Sequence, residues 1–161
     1  MTAEEAKKIG SRQGLISIGW GLIIAQLIMT LFISLDKGFI KAFFWFANVE
    51  YKLNILIGAI IMLLCGHFYG QIAGTQIIVK NRNFIVVGIL CGMAVLLTTA
   101  FLCGWTGFFQ EGLDNTGTND NPFEDYIYKP FFWVTTFGIV PALLVGIWFG
   151  GQIKRKGRRR N

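Results

Sequence analysis

His67 is the one histidine in the chain, and Gln71 and Thr75 follow it at steps of four residues. On a helix that spacing aligns the three side chains in a single row. An imidazole in such a row has two chemical uses, carrying protons near neutral pH or ligating haem or a metal. Either use recruits a second ligand or a carboxylate, and the apolar sequence around His67 supplies neither. The competing reading is a neutral packing residue, hydrogen-bonded to its neighbours. Polar groups in hydrocarbon are costly without partners, so on both readings the row faces protein or a small wet cavity.

The remaining reactive residues support less. Cys65, Cys91 and Cys103 all fall in apolar stretches without a CxxC pair, which argues against disulfide or zinc chemistry. Buried cysteines of this kind behave as small apolar residues. Glu111, Asp114, Asp120, Glu124 and Asp125 share one polar stretch, where paired carboxylates can serve as acid and base or gather calcium. Its spacing misses the EF-hand pattern, with no glutamate at the twelfth position, and a solvated acidic loop is the default. P-loop, HExxH, GxSxG and dinucleotide fingerprints are absent. No residue is assigned a catalytic, metal or cofactor role, and no cofactor is expected.

The elements that must position these residues are long apolar helices. Charged residues make up 15% of the chain and hydrophobic ones 53%, against about 25% charged in soluble globular domains. Crossing a bilayer takes about 20 apolar helical residues. Four segments qualify, at 13–35, 53–79, 84–109 and 130–153, and none holds Asp, Glu, Lys or Arg. The first is too long for the apolar core of a signal peptide and lacks a cleavage site, so it is expected to be retained. The predicted fold is an all-α integral membrane protein, a single domain of four transmembrane helices.

Lys and Arg set its orientation. Eleven of the fifteen lie on the side of the two termini and the turn at 80–83, and only Lys37, Lys41, Lys52 and Lys129 lie on the other, with seven of the nine acids. Both termini are therefore expected in the cytoplasm and the protein in the plasma (inner) membrane. The basic tail at 154–161 then reads as a topology anchor that meets anionic lipid headgroups, and the net charge of +6 requires no nucleic-acid partner. The lead at 1–12 is expected as a frayed turn on the membrane surface. The aromatic run from Phe39 to Phe46 is expected as an interfacial half-helix, a re-entrant dip being the alternative. Residues 110–129 are expected as a polar outer loop.

Small residues recur every four positions. Ser17, Gly21 and Ala25 do so in the first helix, and Gly66, Gly70 and Gly74 in the second; Gly88 and Gly92 follow in the third, then Gly138, Ala142, Gly146 and Gly150 in the fourth. Such rows let helix backbones approach closely. They serve the bundle itself, or an oligomer face left over once it forms. The second and fourth helices also resemble each other, each with a Tyr-Lys pair upstream and a Gly-x₃-Gly row ahead of a Gln-Ile pair. Two tandem two-helix hairpins would explain this, and so would shared composition. A duplication predicts that the Gly66/Gly70 and Gly146/Gly150 rows approach a common axis.

The function expected from these features is a non-enzymatic accessory or interaction subunit, packing against itself as a homo-oligomer or within a larger membrane complex. A transporter or pore component using the His67/Gln71/Thr75 row is the second reading. An enzyme acting on a lipid or isoprenoid at the outer interface is the third.

Overall fold

The computed structural model describes residues 1–48, 52–112 and 121–159, which are helical with no strand among them. The elements are α1 (Ala3–Lys37), a short α2 (Phe39–Phe43), α3 (Lys52–Gly74), α4 (Phe84–Gly107) and α5 (Lys129–Arg158). Wider π-helical turns extend α3 over Thr75–Val79 and α4 over Phe108–Gly112, and another, Glu124–Tyr128, leads into α5. Four of the resulting helices are long and apolar enough to cross a membrane.

The helix α1 begins ten residues before the apolar stretch does, so the expected frayed lead is instead its first three turns. A reciprocal cap starts it. The Thr2 hydroxyl accepts from the Glu5 N–H at 3.3 Å, and the Glu5 carboxylate accepts from the Thr2 N–H at 3.0 Å, which satisfies two otherwise orphaned donors. Packing completes the extension, since Ala6 and Ile9 are buried. Between α3 and α4 the chain turns through Asn81, whose φ of 50° is a left-handed conformation that asparagine tolerates. Asn83 then caps α4, its side-chain oxygen accepting from the Ile85 N–H at 2.9 Å.

The aromatic run is helical, as its sequence suggests, but doubles back along α1. The Gln26 side chain donates to the Phe43 carbonyl at 2.8 Å and accepts from the Trp45 indole N–H at 3.0 Å. Gln26 lies eleven residues inside the end of α1. In the α4–α5 connection, at the same end of the bundle, the expected loop is partly helical, because residues 121–129 wind into α5 and bury Ile127 against Gly104. Lys129 pairs there with Asp125 and Glu124.

Glycine decides which helices pair. A Cβ added at Gly10 would strike the Gly70 carbonyl, one at Gly14 the Gly66 carbonyl, and one at Gly74 the Ala6 carbonyl. These contacts zip α1 to α3. The same arrangement joins α4 to α5, where a Cβ at Gly88 would strike the Gly146 carbonyl and one at Gly150 the Phe84 carbonyl. Gly14 and Gly88 hold equivalent places, each facing a glycine carbonyl with the Cα of the glycine four residues on behind it. The two glycine rows expected to meet each other are therefore spent inside their own hairpins, and α3 and α5 barely touch. Each row finds a partner one connection away, so no shared axis is needed to bury it.

The hairpins join through α3 and α4. Tyr69 and Thr98 share a hydrogen bond of 3.1 Å across that contact. Ala73, Ile77, Val87, Cys91, Phe149 and Ile153 form a core beside it. The ring of helices closes with α5 against α1, the most sparsely packed of its four seams.

Candidate binding site

The polar row divides on folding. His67 Nδ1 lies 2.7 Å from the Ser11 hydroxyl of α1, and its Nε2 lies 2.7 Å from the Gln71 side-chain nitrogen one turn along α3. Thr75 stays out of this cluster, because its hydroxyl donates to the Gln71 carbonyl of its own helix at 3.1 Å. Both imidazole nitrogens are thus engaged, and the cluster ties α1 to α3 beside the glycine contacts. In the sequence Ser11 sits in what reads as a polar lead. Its position directly after Gly10 is the one available signal. Among the described residues no group of His, Cys, Asp and Glu could hold a metal ion, and all three cysteines are free. Asp114 and Asp120 lie outside the described residues, as does the side chain of Glu111.

The small residues of α1 have a different fate from the row expected to pack. Nothing lies within 4 Å of a Cβ added at Gly21. With Ser17 and Ala25 it lines a groove of about 290 Å³ whose opposite wall is Pro141, Ala142 and Val145 of α5. Gly66 and Gly70 of α3 and Gly92 of α4 form its floor. Ala25 and Pro141 are exposed, so the groove opens sideways through the α1–α5 seam. Gly138, Ala142 and Gly146 serve two purposes: each touches α4, at Leu96, Gly92 and Gly88, while lining the groove.

The groove's chemistry is apolar with one exception. Ser17 is 4% exposed and lines it, yet its hydroxyl meets no partner. Tyr69, the other polar residue of the lining, has its hydroxyl bonded to Thr98. A buried water needs two to four polar partners, and one hydroxyl does not provide them. The space suits an apolar chain carrying a single hydrogen-bonding group near Ser17.

A second cleft lies at the end of the bundle that carries both termini, on the same seam. It is lined by Lys8, Ile9, Arg12 and Gln13 of α1, by Lys156 of α5 and by Arg159, which follows α5 directly. Lys154 points elsewhere, its ammonium lying 4.5 Å from the centre of the Phe84 ring. Compared with known proteins, the chain matches no family model, no curated protein and no solved structure.

Proposed function

We propose that the chain is a four-helix integral protein of the plasma (inner) membrane, built as two tandem hairpins with both termini in the cytoplasm. In this reading it acts without catalysis, in an accessory role exercised through what the α1–α5 groove takes up sideways from the bilayer. The membrane part rests on an outer surface that water would not tolerate. Leu35 is 83% exposed, Ile40 77% and Phe137 73%, and each square ångström of such surface costs about 25 cal/mol in water. Orientation rests on the distribution of Lys and Arg. A reporter fused after Asn161 is expected to be active only in the cytoplasm; activity only outside it overturns the topology.

The observation that carries the binding role is the groove, apolar and open to the side, with one unspent hydroxyl. A transport path along His67, Gln71 and Thr75 has less support, since hydrogen bonds within the bundle occupy all three side chains. Reconstitution with phosphatidylcholine bearing a photoactivatable acyl chain tests the role. Labelling is expected to concentrate on Ser17, Gly21, Ala25 and Val145, and to fall several-fold in Gly21→Leu, which fills the groove from a position where added atoms meet nothing. Labelling spread evenly over outward residues such as Leu31 and Phe137, and unchanged by Gly21→Leu, removes the groove as a site.

A further inference from the structure

We infer that the cleft between the terminal ends of α1 and α5 binds a phosphate group bearing net negative charge, the headgroup of an anionic phospholipid whose chain runs into the groove. The inference rests on the membrane reading for the chain, but the phosphate site stands on its own observations. The cleft is large, about 400 Å³. Four cations line it, Lys8 and Arg12 one turn apart on α1, and Lys156 and Arg159 three residues apart at the end of α5, where Arg159 is the C-cap. None of the four makes an ion pair with a described residue. Like charges gathered this way repel one another unless an anion lies between them.

Gln13 supplies the second observation. It lines the same cleft at 3% exposure, and its side-chain nitrogen is buried without a hydrogen-bond partner. A primary amide has two N–H donors, and leaving a buried donor unmade is costly. A phosphate oxygen among the four cations would satisfy it. Basic pockets between helices at the cytoplasmic side are the chemistry that holds anionic headgroups, and arginine meets phosphate with two parallel hydrogen bonds.

The cleft and the groove share a helix face. Gln13 and Ser17 lie one turn apart on α1, and Val145, Phe149 and Lys156 follow one side of α5. A headgroup in the cleft thus places its chain at the entry of the groove, with the Ser17 hydroxyl at the depth of an ester carbonyl. A site of this kind discriminates by geometry. A basic tail that merely attracts anionic membranes would lose the same amount whichever cation is removed.

The full chain in nonionic detergent, titrated with phosphatidylglycerol, phosphatidylcholine or inorganic phosphate and read by native mass spectrometry, tests this. Phosphatidylglycerol is expected to bind at least about tenfold tighter than phosphatidylcholine, given roughly 1 kcal/mol for each cation near the headgroup. Gln13→Leu is expected to weaken it about tenfold through loss of a hydrogen bond to a charged group. Arg12→Gln and Lys156→Gln should each weaken it about fivefold, while Arg155→Gln, which does not line the cleft, should leave it unchanged. Competition by inorganic phosphate, itself sensitive to Gln13→Leu, supports the phosphate site and gives it a soluble source. No preference for phosphatidylglycerol over phosphatidylcholine, or equal losses in Arg155→Gln and Arg12→Gln, overturns the proposal. A preference that survives while groove labelling fails sinks the groove and leaves the phosphate site in place.

Discussion

Gly14→Leu and Gly88→Leu are expected to unfold their hairpins in mild detergent, and the alanine variants to lose about 2 kcal/mol each, the usual cost of forcing added atoms into a packed interior. At both positions even a Cβ would strike a carbonyl oxygen of the facing helix. That atom belongs to a rigid backbone, so relief requires the two helices to separate. In the membrane placement proposed above, the helices gain nothing from hydrophobic association, and close packing is what holds them. A small added volume therefore has a large effect. Gly21→Ala supplies the contrast. It belongs to the same helix, but an added Cβ meets nothing, so the change is expected to be neutral or to stabilise by up to about 1 kcal/mol, the helix-propensity difference. Unfolding curves in mixed micelles, followed by helical circular dichroism, rank the variants. Equal midpoints for Gly14→Ala and Gly21→Ala would mean that α1 and α3 are not zipped as described.

The second large effect is expected at His67. His67→Leu leaves the Ser11 hydroxyl and the Gln71 amide facing an apolar side chain, which strands two partners that now meet the imidazole at 2.7 Å. Leaving buried polar groups unsatisfied costs about 1–3 kcal/mol, although single hydrogen bonds between membrane helices average about 0.6 kcal/mol. The expected loss is about 2 kcal/mol, with His67→Gln and His67→Asn retaining more stability because they keep a donor and an acceptor. A double-mutant cycle with Ser11→Ala isolates the contact between helices, and a coupling of about 1 kcal/mol is expected. Zero coupling would remove Ser11 from the cluster. Loss of a cellular activity in every His67 variant, with folding intact, would make the imidazole functional rather than structural.

The groove and the glycine zips meet in the same residues, and this links stability to the proposed function. Gly66 and Gly70 accept the close approach of α1 on one side and floor the groove on the other. Side chains there would close the space as they pushed the helices apart. The groove is the space left where two tightly zipped hairpins meet along a sparse fourth seam.

The sequence by itself determined the four long helices, because an apolar run needs no partner to be recognised. It also determined the turn at 80–83 and the rows of small residues, since Asn81, Asn83 and a four-residue period act locally. Pairing was beyond it. A row of glycines declares a face for close contact but not its partner, so Gly66 and Gly70 met Gly14 and Gly10 rather than the matching glycines of α5. The extension of α1 was hidden for a related reason. Lys7, Lys8 and Arg12 make its first turns look like surface sequence, while the interleaved Ala6, Gly10 and Ser11 are what α3 requires. Only the tertiary structure brought Lys8 and Arg12 from one end of the chain to Lys156 and Arg159 from the other, around Gln13. Helix periodicity relates residues three and four apart. A cleft between two helices depends on where they cross, and here the glycine contacts on their far sides decide that.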